Sequence, residues 1–150
     1  MDRFVIQGGV PISGEVTPSG NKNSALPLLA ACTLTDEPVT LHNIPQIKDI
    51  MAMRNLLESL GVEIQPLDEH TWQVHARQVR PSDLDPEVCK RIRASILIAG
   101  PMVARARELN LPPPGGDVIG RRRVDTHILA LQALGAQVEY QRAEKIFNFH

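Results

Sequence analysis

Two apolar stretches decide the fold of this chain: residues 24–34, SALPLLAACTL, and residues 96–104, ILIAGPMVA. The first is apolar over about three helical turns, and both contain an internal proline, Pro27 and Pro101. Because proline inside a helix removes a backbone hydrogen bond, we predict a kink at Pro27 or a late start of the first helix. The match between the stretches, proline included, indicates that the chain contains one structural unit twice.

The segments that follow each stretch recur in the same order, as a strand, a helix ended by a glycine, and a hairpin of alternating apolar and polar residues. The pattern therefore predicts an α/β fold built from helix–strand–helix–strand–strand units, at about 22–78 and 88–150. The predicted elements are strands at 39–41 and 109–111, helices from Pro45 to Leu60 and from Asp125 to Leu134, and hairpins at 62–64 with 72–74 and at 136–140 with 146–149; Gly61 and Gly135 end the helices, and a short strand at Phe4–Ile6 begins the chain.

Composition excludes several classes of protein. The 150 residues carry 16 basic and 17 acidic side chains, a formal net charge of −1, so there is no basic excess typical of a nucleic-acid binder. No apolar run approaches the ~20 residues that span a bilayer, and the N-terminus lacks the layout of a secretion signal. The two cysteines and five histidines show no metal-ligand spacing. We expect a cytoplasmic protein without a membrane or nucleic-acid partner.

The two copies differ most at residues 112–124, where the second inserts PPPGGDVIGRRRV. Gly115 and Gly116 allow successive amides to turn towards an anion, and the arginines at 121–123 suit phosphate or carboxylate oxygens. Asp117 between them is a candidate acid. The alternative is a solvated basic turn in which Asp117 caps a helix or pairs with an arginine.

Two further cationic segments precede the apolar helices. Lys22 lies at the start of the first helix, where free amides and the helix dipole favour an anion, although the spacing is not that of a nucleotide-binding P-loop. Lys90, Arg91 and Arg93 precede the second helix. If the copies are related by pseudo-symmetry, both helix starts and the loop face one cleft that suits a polyanion. The alternatives are an ordinary helix cap by Asn21 or Asn23 with an exposed lysine, and a solvated basic face.

At these residues the chain closely resembles the enolpyruvyl transferase (EPSP synthase) family, in particular its members that act on UDP-N-acetylglucosamine. The resemblance covers nearly the whole chain in order. Its matching stretches are SGEVTPSGNKNSALPLLAA, LHNIPQIKDI, LLESLGVEI, RIRASILIAGPMVAR, LPPPGGDVIGRRRVDTHI and LGAQVEY.

The resemblance implies a fold, a reaction and partners. The fold is an inside-out α/β barrel of repeated units in two domains, of which 22–150 would supply two of three units of one domain and 1–21 strands of the other. The reaction transfers the enolpyruvyl group of phosphoenolpyruvate to the 3-hydroxyl of UDP-N-acetylglucosamine and releases phosphate, without a metal or organic cofactor. It begins peptidoglycan synthesis, and so serves cell wall formation, cell shape and division.

The resemblance also assigns site residues. Lys22, which also has a catalytic role, and Asn23 match residues that hold phosphoenolpyruvate, and Arg93 matches a ligand-contacting arginine. Arg122 matches a loop arginine close to the phosphate groups, and Val124 with Asp125 matches a segment that lines the nucleotide-sugar site. These assignments bring cations from three segments to two polyanionic substrates.

Three departures from the family pattern matter. Asp117 stands where cysteine is usual; it can serve as the proton donor if its surroundings favour the protonated form, but it forms no thioether with fosfomycin, so we expect resistance. Arg123 replaces proline and Thr126 replaces leucine, which puts their individual contacts in doubt. The third departure is length, because family chains are more than twice as long. We therefore expect an N-terminal fragment that is inactive alone.

Two other functions remain open at this stage. One is the sibling enzyme that uses shikimate phosphate, although the PGGxxIG loop and the NKNSALP stretch argue against it. The other is a non-catalytic homologue that binds the nucleotide sugar without releasing phosphate. The oligomeric state is left open by the sequence.

Overall fold

The computed structural model describes residues 3–81, 84–115 and 123–150. Its elements alternate between helices and short strands. They are α1 (Lys22–Ala31), a 3₁₀ helix (Cys32–Leu34), β1 (Val39–Leu41), α2 (Lys48–Ser59), β2 (Glu63–Pro66), β3 (Trp72–His75), α3 (Pro86–Arg91), a second 3₁₀ helix (Arg93–Ile98), α4 (Ala99–Ala106), β4 (Leu109–Leu111), α5 (Asp125–Ala133), β5 (Val138–Gln141) and β6 (Ile146–Phe149).

The strands form two antiparallel sheets of the same topology. The first sheet has the order β1-β3-β2 and the second the order β4-β6-β5. In each sheet the last strand of the hairpin, β3 or β6, is central and pairs with the strand that precedes the helix, β1 or β4. Val39 is opposite Val74 in the first sheet, and Leu109 is opposite Phe149 in the second. We call α1 to β3 the first unit and α3 to β6 the second unit. The strands predicted at 39–41 and 109–111 and both hairpins are confirmed.

The first helix begins without delay. The Asn21 side chain accepts hydrogen bonds from the amides of Asn23 and Ser24, and α1 starts at Lys22 and continues past Pro27. The late start predicted from Pro27 is therefore wrong. The first four amides of a helix have no acceptor within the helix, and the asparagine cap satisfies two of them here.

The second helix begins later than predicted. The sequence places its start at Pro45, but Ile47 is extended and α2 starts at Lys48. The residues before α2 are bound to the turn between β2 and β3, because the Ile44 amide donates a hydrogen bond to the carbonyl of His70 at 2.8 Å. The predicted apolar face is present, with Ile50, Met53, Leu56 and Leu57 buried. Gly61 follows with a positive φ of 87°, as expected of a helix end.

The second unit departs from its predicted form before α4. The apolar stretch at 96–104 begins as a 3₁₀ helix and becomes α-helical only at Ala99. The sequence analysis also missed α3, a helix of six residues with Asp85 as its cap and Pro86 in its first turn. Both are favourable residues for a helix start, but so short a helix has no apolar periodicity to detect.

The core lies between the helices and the inner faces of the two sheets. Its largest buried side chains are Trp72 and Phe149, one from each sheet, surrounded by leucine, isoleucine and methionine. In the second unit α5 contributes no fully buried side chain. Within the described ranges, no helix is long and apolar enough to cross a membrane.

The N-terminal segment does not form the predicted strand. Residues 3–21 contain neither helix nor strand, and Phe4 is 97% exposed. Val5 and Ile6 are similarly exposed. A strand requires a partner for its backbone hydrogen bonds, and within the described residues none of the six strands pairs with this segment.

Arg105 of α4 joins the two units. Its guanidinium donates to the carbonyls of Thr33 and Thr35, each at 2.9 Å, and to the carbonyl of Arg77 at 3.1 Å. Thr33 belongs to the first 3₁₀ helix, Thr35 follows it directly, and Arg77 lies just after β3. One half-buried side chain of the second unit thus fixes the far end of the first unit, opposite the start of α1.

Gly20 is required where the chain enters α1. A Cβ atom at this position would lie 1.8 Å from the carbonyl oxygen of Asn43. We expect Gly20→Ala to lower the free energy of unfolding by about 1–3 kcal/mol, because the backbone at Asn43 must move. Chemical denaturation measures the change. Gly100→Ala is the matched control, since nothing lies within 4 Å of a Cβ there, and an equal effect of both variants contradicts the prediction.

Candidate functional site

A cleft of about 510 Å³ opens between the start of α1 and the segment that joins α3 to the second 3₁₀ helix. Each unit therefore contributes the N-terminal end of its apolar helical stretch. The described lining consists of Lys22, Asn23, Leu26, Pro27, Asp49, Arg91, Ile92, Arg93, Ala94, Ile96, Leu97 and His127. Within this lining, three cations stand against one carboxylate, so the cleft is suited to an anionic ligand.

The cap of α1 presents Lys22 and Asn23 to the cleft. Asn21 supplies the capping oxygen, at 2.7 Å from the Asn23 amide nitrogen, so the Asn23 side chain is not used as the cap. Lys22 is in the first helical turn and its ammonium group forms an ion pair with Asp49 of α2. The structure thus contains the ordinary cap by Asn21 with an exposed lysine, and in addition pairs that lysine with Asp49.

Two of the three cations predicted before the second apolar helix reach the cleft. Ile92 is extended between α3 and the 3₁₀ helix, and Arg91 and Arg93 on either side of it both line the cleft. Lys90 is engaged elsewhere, with its ammonium 2.6 Å from the carboxylate of Glu87. The expectation that both helix starts face one cleft is confirmed for Lys22, Asn23, Arg91 and Arg93.

Arg93 also binds the end of the inserted loop. Its guanidinium donates to the carbonyl of Arg123 at 2.8 Å. The Arg123 guanidinium in turn pairs with both carboxylate oxygens of Asp125, at 3.0 and 2.8 Å, in the first turn of α5. Val124 is half-buried beside them, whereas Thr126 is exposed and does not belong to the described lining of the cleft.

The beginning of the loop is fixed to the same short stretch. The Gly115 amide donates to the carbonyl of Cys89 at 3.2 Å. A Cβ at Gly115 would lie 1.6 Å from the carbonyl oxygen of Lys90, so only glycine fits this approach. Asp117 and Arg122, the proton donor and the loop arginine implied by the resemblance, lie outside the described residues, as do Gly116 and Arg121.

Sequence reasoning missed two cleft residues. Asp49 was overlooked although it belongs to LHNIPQIKDI, because nothing in the spacing shows that the starts of α1 and α2 come together. His127 lines the cleft, whereas the sequence analysis noted only that the histidines lack metal-ligand spacing. Its position two residues after Asp125, beside the arginine-rich loop, is the signal that was available.

The described residues offer no cluster of three or more histidine, cysteine or acidic side chains for a metal ion. In the cleft they offer cationic side chains that can bind an anion.

Both cysteines are buried away from solvent. Burial, and then the nearby charge of Asp85, raises the pKa of the Cys89 thiol to about 11, and burial raises the pKa of Cys32 as well.

These thiols should resist alkylation. Because the thiolate is the reactive form, we expect Cys89 to react with iodoacetamide at least tenfold more slowly at pH 8 in the folded protein than in urea. Between pH 9.0, the ordinary pKa of a cysteine thiol, and pH about 11, the folded protein keeps the Cys89 proton while the unfolded chain loses it. The free energy of unfolding should therefore fall as the pH rises through this interval. Mass spectrometry of the Cys89 peptide measures the rate, and rapid modification of the folded protein contradicts the prediction.

Comparison with solved structures defines the class of protein. The enolpyruvyl transferase NikO from Streptomyces tendae matches 95% of this chain and 31% of its own, with a TM-score of 0.73 and 22% sequence identity. EPSP synthase from Acinetobacter baumannii matches 90% of this chain with a TM-score of 0.63 and 13% identity. The fold is therefore that of an enolpyruvyl transferase, as the resemblance predicted.

The family follows from sequence. Residues 6–150 match the family model of EPSP synthase (3-phosphoshikimate 1-carboxyvinyltransferase), and the chain belongs to this family. The chain is 55% identical over 136 residues to the UDP-N-acetylglucosamine 1-carboxyvinyltransferase of Bradyrhizobium diazoefficiens and 48% identical over 139 residues to that of Treponema denticola. It covers 32% and 33% of these proteins, so it spans about a third of the length of the curated relatives it matches.

Proposed function

We propose that this chain forms part of an enzyme that transfers the enolpyruvyl group of phosphoenolpyruvate to the 3-hydroxyl of UDP-N-acetylglucosamine, with release of phosphate. The observation that carries the proposal is the single cleft in which Lys22 and Asn23 of the first unit meet Arg91 and Arg93 of the second. The relatives named for this reaction, at about half identity, support it.

The described residues fit two phosphorylated substrates. Lys22 and Asn23 bind the phosphate and carboxylate of phosphoenolpyruvate, and Lys22 stabilises negative charge as the reaction proceeds. Arg93 has donors left after its bond to the Arg123 carbonyl and binds a nucleotide-sugar ligand. Val124 and Asp125 border the nucleotide-sugar site together with Arg122, and Arg123 and Thr126 extend this border.

In the first chemical step Asp117 gives a proton to the methylene carbon of phosphoenolpyruvate while the sugar hydroxyl oxygen attacks the adjacent carbon and its proton passes to the phosphate group. In the second step the Asp117 carboxylate takes a proton back from the new methyl group, the carbon–oxygen bond to phosphate breaks, and the double bond is restored as phosphate leaves with the hydroxyl proton. The protein supplies cations and proton transfer in both steps, and no cofactor enters this balance. Without a thiol at 117, the enzyme resists alkylation there by fosfomycin.

The same proposal places the chain in a larger fold. Residues 22–150 supply two of three units of one domain, 112–124 form its active-site loop, and 1–21 belong to the other domain. The exposed Phe4, Val5 and Ile6 support this last assignment, because apolar side chains of that size need a partner surface. The enzyme acts in the cytoplasm in peptidoglycan synthesis, and through it in cell shape and division.

The test uses the extended protein, by which we mean this chain continued to the full length of its relatives. We expect phosphate release only when phosphoenolpyruvate and UDP-N-acetylglucosamine are both present, and no release from the 150 residues alone. Release with shikimate 3-phosphate in place of the nucleotide sugar would assign the sibling activity. Nucleotide-sugar binding without any release would show a non-catalytic homologue and contradict the proposal.

A further inference from the structure

Asp49 places a carboxylate inside a cleft that otherwise suits anions. It lines the cleft together with Lys22, Arg91 and Arg93, and its carboxylate forms an ion pair with the Lys22 ammonium. Both side chains of the pair remain nearly half exposed, at 47% for Lys22 and 44% for Asp49. The pair is therefore open to exchange with a ligand that enters the cleft.

The fold brings this pair together at two helix starts. Lys22 is in the first turn of α1 and Asp49 is in the first turn of α2, where the helix dipole favours a carboxylate. Asp49 and Arg91 also line a second cavity of about 650 Å³, which is bordered by residues of α2 and α3. Asp49 thus lies at the junction of the two cavities, beside two cations that belong to different units.

The charge balance of the cleft differs between its empty and its occupied state. In the empty cleft Lys22, Arg91 and Arg93 repel one another, and the carboxylate offsets part of that repulsion. When an anion enters the cleft, the Asp49 carboxylate competes with that anion for the Lys22 ammonium, and it repels the anion because both are negatively charged. A group with these two effects stabilises the free protein and weakens the complex.

We propose that Asp49 is the internal counter-ion of Lys22, which holds the lysine in the empty cleft and is displaced by the phosphate group of phosphoenolpyruvate. Asp49 is then a positioning residue that sets the affinity for this substrate. The inference rests on the proposed function for the identity of the anion. The ion pair itself does not depend on it.

The test is Asp49→Asn in the extended protein. Since exposed ion pairs contribute little, we expect the Kd and the KM for phosphoenolpyruvate to fall about two- to fivefold, with kcat within twofold of the parent. The same variant should unfold at a slightly lower temperature when the cleft is empty. Tighter binding combined with lower stability distinguishes a counter-ion from a merely structural residue, whose loss weakens both.

Two variants control the experiment. Asp49→Glu keeps the charge and should bind phosphoenolpyruvate within twofold of the parent. Glu58→Gln removes a carboxylate from the same helix, where Glu58 pairs with Arg54 at 2.8 Å, and should leave binding unchanged. Weaker or unchanged binding by Asp49→Asn, or tighter binding by Glu58→Gln as well, overturns the proposal.

Titration with inorganic phosphate separates this inference from the proposed function. If the extended protein neither binds phosphoenolpyruvate nor releases phosphate, the proposed function fails, while tighter phosphate binding by Asp49→Asn still supports the counter-ion. If the parent protein is active and Asp49→Asn binds phosphate and phosphoenolpyruvate like the parent, the counter-ion alone is overturned.

Discussion

Asp117→Asn should reduce the turnover of the extended protein by at least about 100-fold, because a positioned proton donor contributes roughly 10²–10⁴ to rate. An amide has the size of the carboxyl group but delivers no proton to the methylene carbon. The KM for UDP-N-acetylglucosamine should change little, since the proposed function assigns the binding of its phosphates to the cations of the cleft. Initial rates of phosphate release measure both quantities.

Asp117→Cys is the informative partner of that variant. The thiol can donate the proton, so turnover should persist, and the enzyme should become sensitive to fosfomycin with time-dependent loss of activity and a mass adduct on the loop peptide. Asp36→Asn, the same chemical change at an exposed position of the first unit, is the control. Full turnover of Asp117→Asn would remove this residue from the mechanism, and a fosfomycin adduct on the parent loop would refute the expected resistance.

Arg105→Ala should lower the free energy of unfolding by about 2–3 kcal/mol, because it removes three hydrogen bonds from a charged donor and leaves three carbonyls of the first unit without it. Water reaches part of this half-buried site, so the loss is smaller than the sum of three isolated bonds. The midpoint of urea unfolding of the extended protein measures the change.

Arg105→Lys should recover less than half of this loss, since one ammonium group cannot reach three carbonyls with the planar geometry of a guanidinium. Lys90→Ala is the control, because it removes a cation that pairs with the exposed Glu87 and should cost at most about 0.5 kcal/mol. Equal destabilisation by Arg105→Ala and Lys90→Ala would mean that the contact between the units contributes nothing.

The fold was largely predictable because its evidence is local and repeated. The alternation of apolar residues identified both hairpins, and the match between the two proline-containing stretches identified the repeat. The errors arose where distant contacts decide the local structure. Pro45 is a suitable helix start, yet the hydrogen bond from Ile44 to His70 keeps the chain extended up to Ile47.

The candidate site was predictable only in part. Lys22, Asn23, Arg91 and Arg93 are in segments with a clear excess of donors, and the repeat suggested that they share a cleft. Asp49 has no such local signal, because an isolated acidic residue in a first helical turn is common, and the only signal for His127 is its position beside the arginine-rich loop. Their place in the cleft depends on how α1, α2 and α5 pack together, which periodicity within one helix does not reveal.

The two attachments of the inserted loop have a consequence for how the chain can change. Gly115 is tied to Cys89 and Arg123 is tied to Arg93, so both flanks of 116–122 are anchored on a stretch of only five residues, 89–93. The two described anchors involve no side chain between 116 and 122, so we expect substitutions in that range to leave both anchors in place. If the proposed function holds, we therefore expect the exchange of aspartate for cysteine at 117 to leave the two anchoring hydrogen bonds, and the rest of the chain, as they are.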